Sequence, residues 1–229
     1  TVPPEAPALV SPADGENTND NTPTLWVYTI TENSFPVVYH FAVSDDPSFP
    51  YENWSADITI DDPGLPSFGV TVWALPDGVW YWRVYARDNA GNVGENSDYW
   101  SFRVDTVAPA APVLVSPADG ENTNDNTPTL SWQSVVENSL PVLYYVAVSD
   151  NSEFPYENES SGWITDNSWT APELRDGVWY WRVRAKDNAG NEGDWSDVWS
   201  FRVDTVPPEA PALVSPADGE NTNDNTPTL

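Results

Sequence analysis

The chain has 229 residues, with 36 acids against 8 bases, a net charge of −28 and no cysteine. That balance excludes nucleic-acid phosphates as a partner, and the missing thiols exclude disulfides, thiolate metal sites and thiol catalysis. No apolar run approaches the roughly 20 residues a membrane-spanning helix needs, so the hydrophobic residues are for a core, led by 13 Trp, 10 Tyr and 7 Phe.

The chain opens on a segment that returns twice. Residues Thr1–Leu25 recur unchanged at Thr205–Leu229, and recur at Thr106–Leu130 with Ala108 for Pro3, Ala110 for Glu5 and Val113 for Ala8. The offsets are 105 and 99 residues, each the size of one small domain. Self-similarity at this period is the signature of a linear array. The chain divides into a repeat over residues 1–105, a second over 106–204, and the opening strand of a third over 205–229. The outer copies read PPEAP and the middle one APAAP, so two domain types alternate. With no methionine, the sequence reads as a segment of a longer protein, cut inside its own pattern.

Each repeat reads as strands separated by Pro, Gly, Asn and Asp clusters. Proline-bounded APALVSP suits an edge strand, where a missing N–H does little harm. Next, Leu25 and Val27 facing inward would turn Trp26 outward; Trp26 is either a contact residue or the sign of a local bulge. Tyr39, Phe41 and Val43 then alternate on one face, as do Tyr144, Val146 and Val148. Between Tyr51 and Leu75 the first repeat is six residues longer than the second is between Tyr156 and Leu174. Val79–Ala86 places Trp80, Trp82, Val84 and Ala86 on the core face, matched by Trp179, Trp181, Val183 and Ala185. DNAGN follows, its Gly suited to the positive φ of a hairpin bulge. Closing strands carry Trp100, Phe102 and Val104, or Trp199, Phe201 and Val203. About seven strands per unit and no helical period predict an all-β fold of tandem immunoglobulin-like sandwiches.

The stretches YYVAVSDNSEFP, DGVWYWRVRAKDNAGNEGDWS and WSFRVDTVPP resemble the fibronectin type III or immunoglobulin-like repeats of prokaryotic cell-surface proteins. The resemblance covers both full repeats, and V-x-A-x-D-x-x-G-N is its most specific part. It implies a structural or adhesive extracellular module, usually strung in tandem. The family often has a corner tyrosine at the start of this strand. Here, in register with Val84 and Ala86, that slot holds Trp80 (Trp179 in repeat two); counted from Leu75 it falls on Tyr81.

The junctions DTVAPAAP and DTVPPEAP favour extended polyproline geometry and a semi-rigid spacer. First and last strands running the same way put the two chain ends at opposite poles, so each unit advances by about 35–45 Å. Acidic loops then flank each joint: Glu16, Asp20, Asp45, Asp46 and Asp77 on one side, Glu137, Asp187 and Asn191 on the other. Such a set of hard oxygens could hold calcium between domains; the alternative is that these residues only form turns. Two N-x-S triplets, at Asn53 and Asn158, occupy the same repeat position and are candidate glycosylation sites, with Thr22 and Thr24 beside Pro23 candidates for O-linked sugar. The outward face of Tyr81, Arg83 and Tyr85, or Tyr180, Arg182 and Arg184, offers rings for sugar or ordinary cross-strand pairing, cation–π included. The only histidine, His40, faces away from the core, and no catalytic triad can be built around it, so no enzyme is expected.

The reading is an extracellular structural protein whose tandem repeats form a surface fibre, stalk or adhesin shaft. The rival is a carbohydrate- or ligand-binding accessory module of a secreted enzyme or adhesin. Self-association is expected through tandem or filament assembly; a spare opening strand, Ala210–Ser215, could be accepted by another subunit, but each full repeat owns its opening strand, so covalent tandem linkage is the simpler account.

Overall fold

The computed structural model describes residues 2–31, 35–62, 64–212, 214, 217–221, 223, 225 and 226. No helix of these residues is long and apolar enough to cross a membrane. Repeat one contains β1 (Leu9–Ser11), β2 (Glu16–Thr18), β3 (Thr24–Tyr28), β4 (Val37–Ser44), β5 (Trp54–Ile60), β6 (Ser67–Thr71), β7 (Gly78–Arg87) and β8 (Trp100–Val104). Repeat two contains β9 (Leu114–Ser116), β10 (Glu121–Thr123), β11 (Thr129–Trp132), β12 (Leu143–Ser149), β13 (Glu159–Ile164), β14 (Ser168–Thr170), β15 (Gly177–Lys186) and β16 (Trp199–Val203).

Both repeats form the same two-sheet sandwich. A three-stranded sheet, β1-β3-β6 or β9-β11-β14, packs on a five-stranded sheet, β2-β8-β7-β4-β5 or β10-β16-β15-β12-β13. Eight strand segments fill seven strand positions, because the opening strand is split. β1 pairs with β3, and the chain then passes Pro12 and joins the other sheet as β2, parallel to β8. Pro12 has no N–H to give to a ladder, which suits it to the changeover. Residues Glu16–Thr18, expected in a turn, are therefore strand. The third copy of this segment, over 205–229, forms no strand among its described residues. Most of its predicted strand Ala210–Ser215 is described, but Leu213 and Ser215 lie outside the described residues.

The predicted core faces hold. Trp80, Trp82, Val84 and Ala86 are buried, as are Trp179, Trp181, Val183 and Ala185. Trp82 meets Trp100 edge to face with ring centroids 6.2 Å apart, and Trp181 meets Trp199 in the same way. Leu25 and Val27 are fully buried, so Trp26 does face outward. The bulge that the sequence allowed at Trp26 sits instead in β1, between Leu9 and Ser11, while β3 and β6 pair without interruption. The corner slot belongs to tryptophan: Trp80 Nε1 donates to the Pro76 carbonyl at 3.0 Å, and Trp179 Nε1 to the Arg175 carbonyl at 2.9 Å. An indole N–H thus makes the bond back along the chain that a corner tyrosine hydroxyl makes elsewhere.

The proline segments are less free than a spacer. Pro109 and Pro112 are buried at a three-residue interval, which is one turn of polyproline helix. The Pro109 carbonyl lies against Gly193, and the Pro4 carbonyl against Gly94 at the matching place in repeat one. Any side chain at either glycine would collide with that carbonyl, so the glycine is what lets the segment dock. The stretch from Pro109 onward therefore belongs to repeat two, and only a few residues bridge the domains.

Candidate functional site

The joint is organised by Asp105, the residue after β8. Its backbone N–H donates to the Thr18 carbonyl at 3.0 Å, which fixes it to repeat one. Its other groups reach into repeat two. The Ser139 hydroxyl donates to Asp105 Oδ2, and Asn191 Nδ2 donates to the Asp105 carbonyl at 2.8 Å. A further cross-joint bond runs from the Asn19 N–H to the Ala189 carbonyl at 3.2 Å. Asp105 and Ser139 are both buried.

Two turns of repeat two form the other wall. In the DNAGN turn, Gly190 takes φ of 98°, a value that glycine tolerates best. Asp187 accepts from the Asn191 N–H at 2.9 Å and from Asn191 Nδ2 at 2.8 Å. The second turn carries Glu137, which accepts from the Asn138 N–H at 2.6 Å, and Ser139, whose carbonyl takes the Asn188 N–H at 2.9 Å. The result is a group of three carboxylates, Asp105, Glu137 and Asp187, with oxygens within 4.8 Å of one another. Beside it lies a cleft of about 360 Å³ lined by Asp77, Arg103, Asp105, Val136, Glu137 and Asn138, among others.

The expected joint residues are thus only partly gathered. Glu137, Asp187 and Asn191 meet at the joint, and Asp77 lines the cleft while accepting from Thr106 N and Oγ1 at 3.1 and 2.9 Å. Glu16, Asp20 and Asp46 cap local turns instead: Glu16 accepts from Ala13 N, Asp20 from Thr22, and Asp46 from Ser48. Asp45 pairs with its neighbours in the loop after β4, where the Tyr51 hydroxyl bonds to it and is itself pushed above its ordinary pKa. The sequence reading missed Asp105. Its signal was present, since the same Asp opens both junctions as Asp105 and Asp204.

Asn53 and Asn158 have a local task. Asn53 Oδ1 accepts from the Asp45 N–H at 3.1 Å, and Asn158 Oδ1 from the Asp150 N–H at 2.9 Å. That bond accounts for an Asn at the same place in both repeats. The outward face of β15 is a stack of rings and cations. Arg182 lies 4.2 Å from the Phe154 centroid and 4.1 Å from Trp195, Arg184 lies 5.2 Å from Trp163, and Lys186 closes on Trp163 at 4.2 Å. Burial pushes the Arg182 guanidinium below its ordinary pKa. In repeat one Arg83 lies 4.2 Å over Phe49. Phe49 and Phe154 hold φ of 49° and 48°, a costly backbone for an aromatic residue, offset here by the cation on each ring. His40 has Asp57 at 2.6 Å on Nδ1 and Glu52 at 3.1 Å on Nε2, so both ring nitrogens are occupied.

No curated protein matches the sequence. The fibronectin(III)-like modules of Clostridium thermocellum CbhA superpose with a TM-score of 0.50 at 14% identity, over 86% of this chain and 93% of that one. The FN1-FN3 domains of chicken CNTN1 give 0.47 at 16% identity, over 88% of this chain and 68% of that one. The model of the bacterial Ig-like domain family matches residues 116–205. Residues 116–205 thus carry the bacterial Ig-like signature, and both repeats have the all-β sandwich fold found in tandem fibronectin(III)-like modules.

Proposed function

We propose that this chain is a load-bearing stretch of an extracellular protein, part of a surface fibre, stalk or adhesin shaft. The carrying observation is the joint. Asp105 is fixed to repeat one through Thr18 and to repeat two through Ser139 and Asn191, and the prolines that follow are docked on the second sandwich. Such a joint resists bending, whereas a solvated linker would let the domains tumble. The bacterial Ig-like match and the absence of cysteine are compatible with a surface module that draws its stability from aromatic cores.

Small-angle scattering of the two-repeat chain tests this reading. The expected profile is that of a stiff, elongated particle with domain centres about 35–45 Å apart. Asp105→Ala combined with Asn191→Ala should broaden the distance distribution while each sandwich stays folded. A compact particle, or a double variant with the parent profile, would overturn the reading.

We extend the proposal to calcium at the same joint. The group is three carboxylates, Asp105, Glu137 and Asp187, which are hard oxygen donors of the kind calcium takes. Two of the three carboxylates are buried, so their mutual repulsion is poorly screened. A divalent ion held by Asp105, Glu137 and Asp187 would offset that repulsion and tie the domains together.

A further inference from the structure

We propose that the outer face of the β1-β3-β6 sheet in repeat one is a binding surface for a neutral polysaccharide. The face is built on Trp26 and Tyr28, which are 42% and 55% exposed on alternate positions of β3. Opposite Trp26 in the ladder stands Gly69. A Cβ placed there would lie 2.8 Å from both Cδ2 and Cε2 of the indole. Those two atoms form the bond shared by the two rings. An approach closest to that bond comes through the face of the indole, not its edge. The indole therefore lies flat across the Gly69 backbone, and its opposite face is presented outward.

Repeat two is an internal control. The Thr24–Thr71 hydroxyl pair recurs as Thr129–Thr170, each at 2.9 Å, so the two sheets align residue by residue. In that alignment Trp26 and Gly69 become Ser131 and Ser168, which pair directly. Tyr28, whose N–H goes to the Ala8 carbonyl, becomes Gln133, whose N–H goes to Val113. Trp73, 62% exposed just past β6, becomes Pro172. The same sandwich forms with polar residues or proline at every one of these places, so its fold does not need the aromatics.

The chemistry of the face selects its occupant. On β3 and β6 its outward positions are Thr24, Trp26, Tyr28, Ser67, Gly69 and Thr71, none of them charged, and on β1 Ser11 stands opposite Trp26. On a chain of net charge −28 this is an unusual patch. An anionic ligand or a second copy of the chain would be repelled by the surrounding field, and a basic partner would be drawn to the carboxylates elsewhere. A pyranose ring suits it: the C–H face stacks on a flat indole, and the hydroxyls meet the Thr and Ser hydroxyls around it. The platform occurs in only one of the two repeat types, so an array would display it once every second domain.

Affinity electrophoresis of the whole chain in native gels containing hydroxyethylcellulose, arabinoxylan, galactomannan or dextran tests the proposal. The comparison is Trp26→Ser with Tyr28→Gln, the residues that repeat two carries, with thermal melting to show that the variant is folded. Retardation of the parent in at least one gel is expected, with affinity about a hundredfold lower in the double variant, roughly tenfold for each aromatic lost. Migration unaffected by all four polysaccharides, or equal retardation of parent and variant, would overturn it. So would a concentration-dependent dimer that the double variant abolishes, since the face would then mate with a second copy. None of these outcomes bears on the stiffness of the joint, which scattering measures separately.

Discussion

Trp80 and Trp179 show how much one side chain can settle. Each is buried on the core face of its strand, and each ties its indole N–H to a carbonyl four residues back. The sequence left two candidates for this corner, Trp80 and Tyr81, because counting from Leu75 and counting in register with Val84 give different answers. The structure chooses Trp80, since only that residue has both the inward direction and the reach. Trp179→Phe should therefore cost repeat two about 1–3 kcal/mol, from the unpaired carbonyl and the lost volume. Tyr81→Phe in repeat one should be nearly neutral. Chemical denaturation of the two variants checks this, and equal losses would mean that the corner lies elsewhere.

Among the elements, the turn DNAGN, which follows β7 and β15, does the most with the fewest residues. In repeat one Asp88 accepts from Asn92 Nδ2 at 2.7 Å and from the Asn92 N–H at 2.8 Å. These bonds, the side-chain amide first, hold the Asp88 carboxyl below its ordinary value of 3.8. A depressed carboxylate contributes stability that is complete above the unfolded value and disappears as pH falls through the folded one. Asp88→Asn should thus destabilise repeat one at neutral pH, and its deficit relative to the parent should shrink below about pH 4. Denaturation at pH 7, 5, 4 and 3 reads the difference, and a deficit constant over that range would contradict it. The same turn in repeat two was legible as a glycine hairpin, and Gly190 has the positive φ that this requires. Its second task, presenting Asp187 and Asn191 to the preceding domain, was legible only as a neighbourhood. Loops that share a pole can be named from topology, but which carboxylates point at one another depends on turn geometry.

For the whole molecule, the proposed ion at the joint gives a direct expectation. A ligand that binds only the docked state stabilises it by mass action, about 2.7 kcal/mol at a hundredfold excess over Kd. Melting in millimolar calcium should then run several degrees above melting in chelator, and Asp187→Asn should remove the gain. Identical melting curves for the parent under both conditions would sink the calcium reading. Much of the architecture was open to the sequence because it rests on short-range rules. The two-residue alternation of Trp80, Trp82 and Val84 dictates which face is buried, and the recurring opening segment marks out two repeats that fold alike. Tertiary structure alone decided the rest. Asp105 joins two domains because its carboxylate, Ser139 and Asn191 meet across residues 105 to 191, a proximity with no local signature. Likewise Trp26 was legible as outward, but its flat seat on Gly69 exists only once β3 and β6 pair in one register. Direction along a strand is set by the backbone of that strand, whereas contact between strands and domains is set by how the whole chain closes.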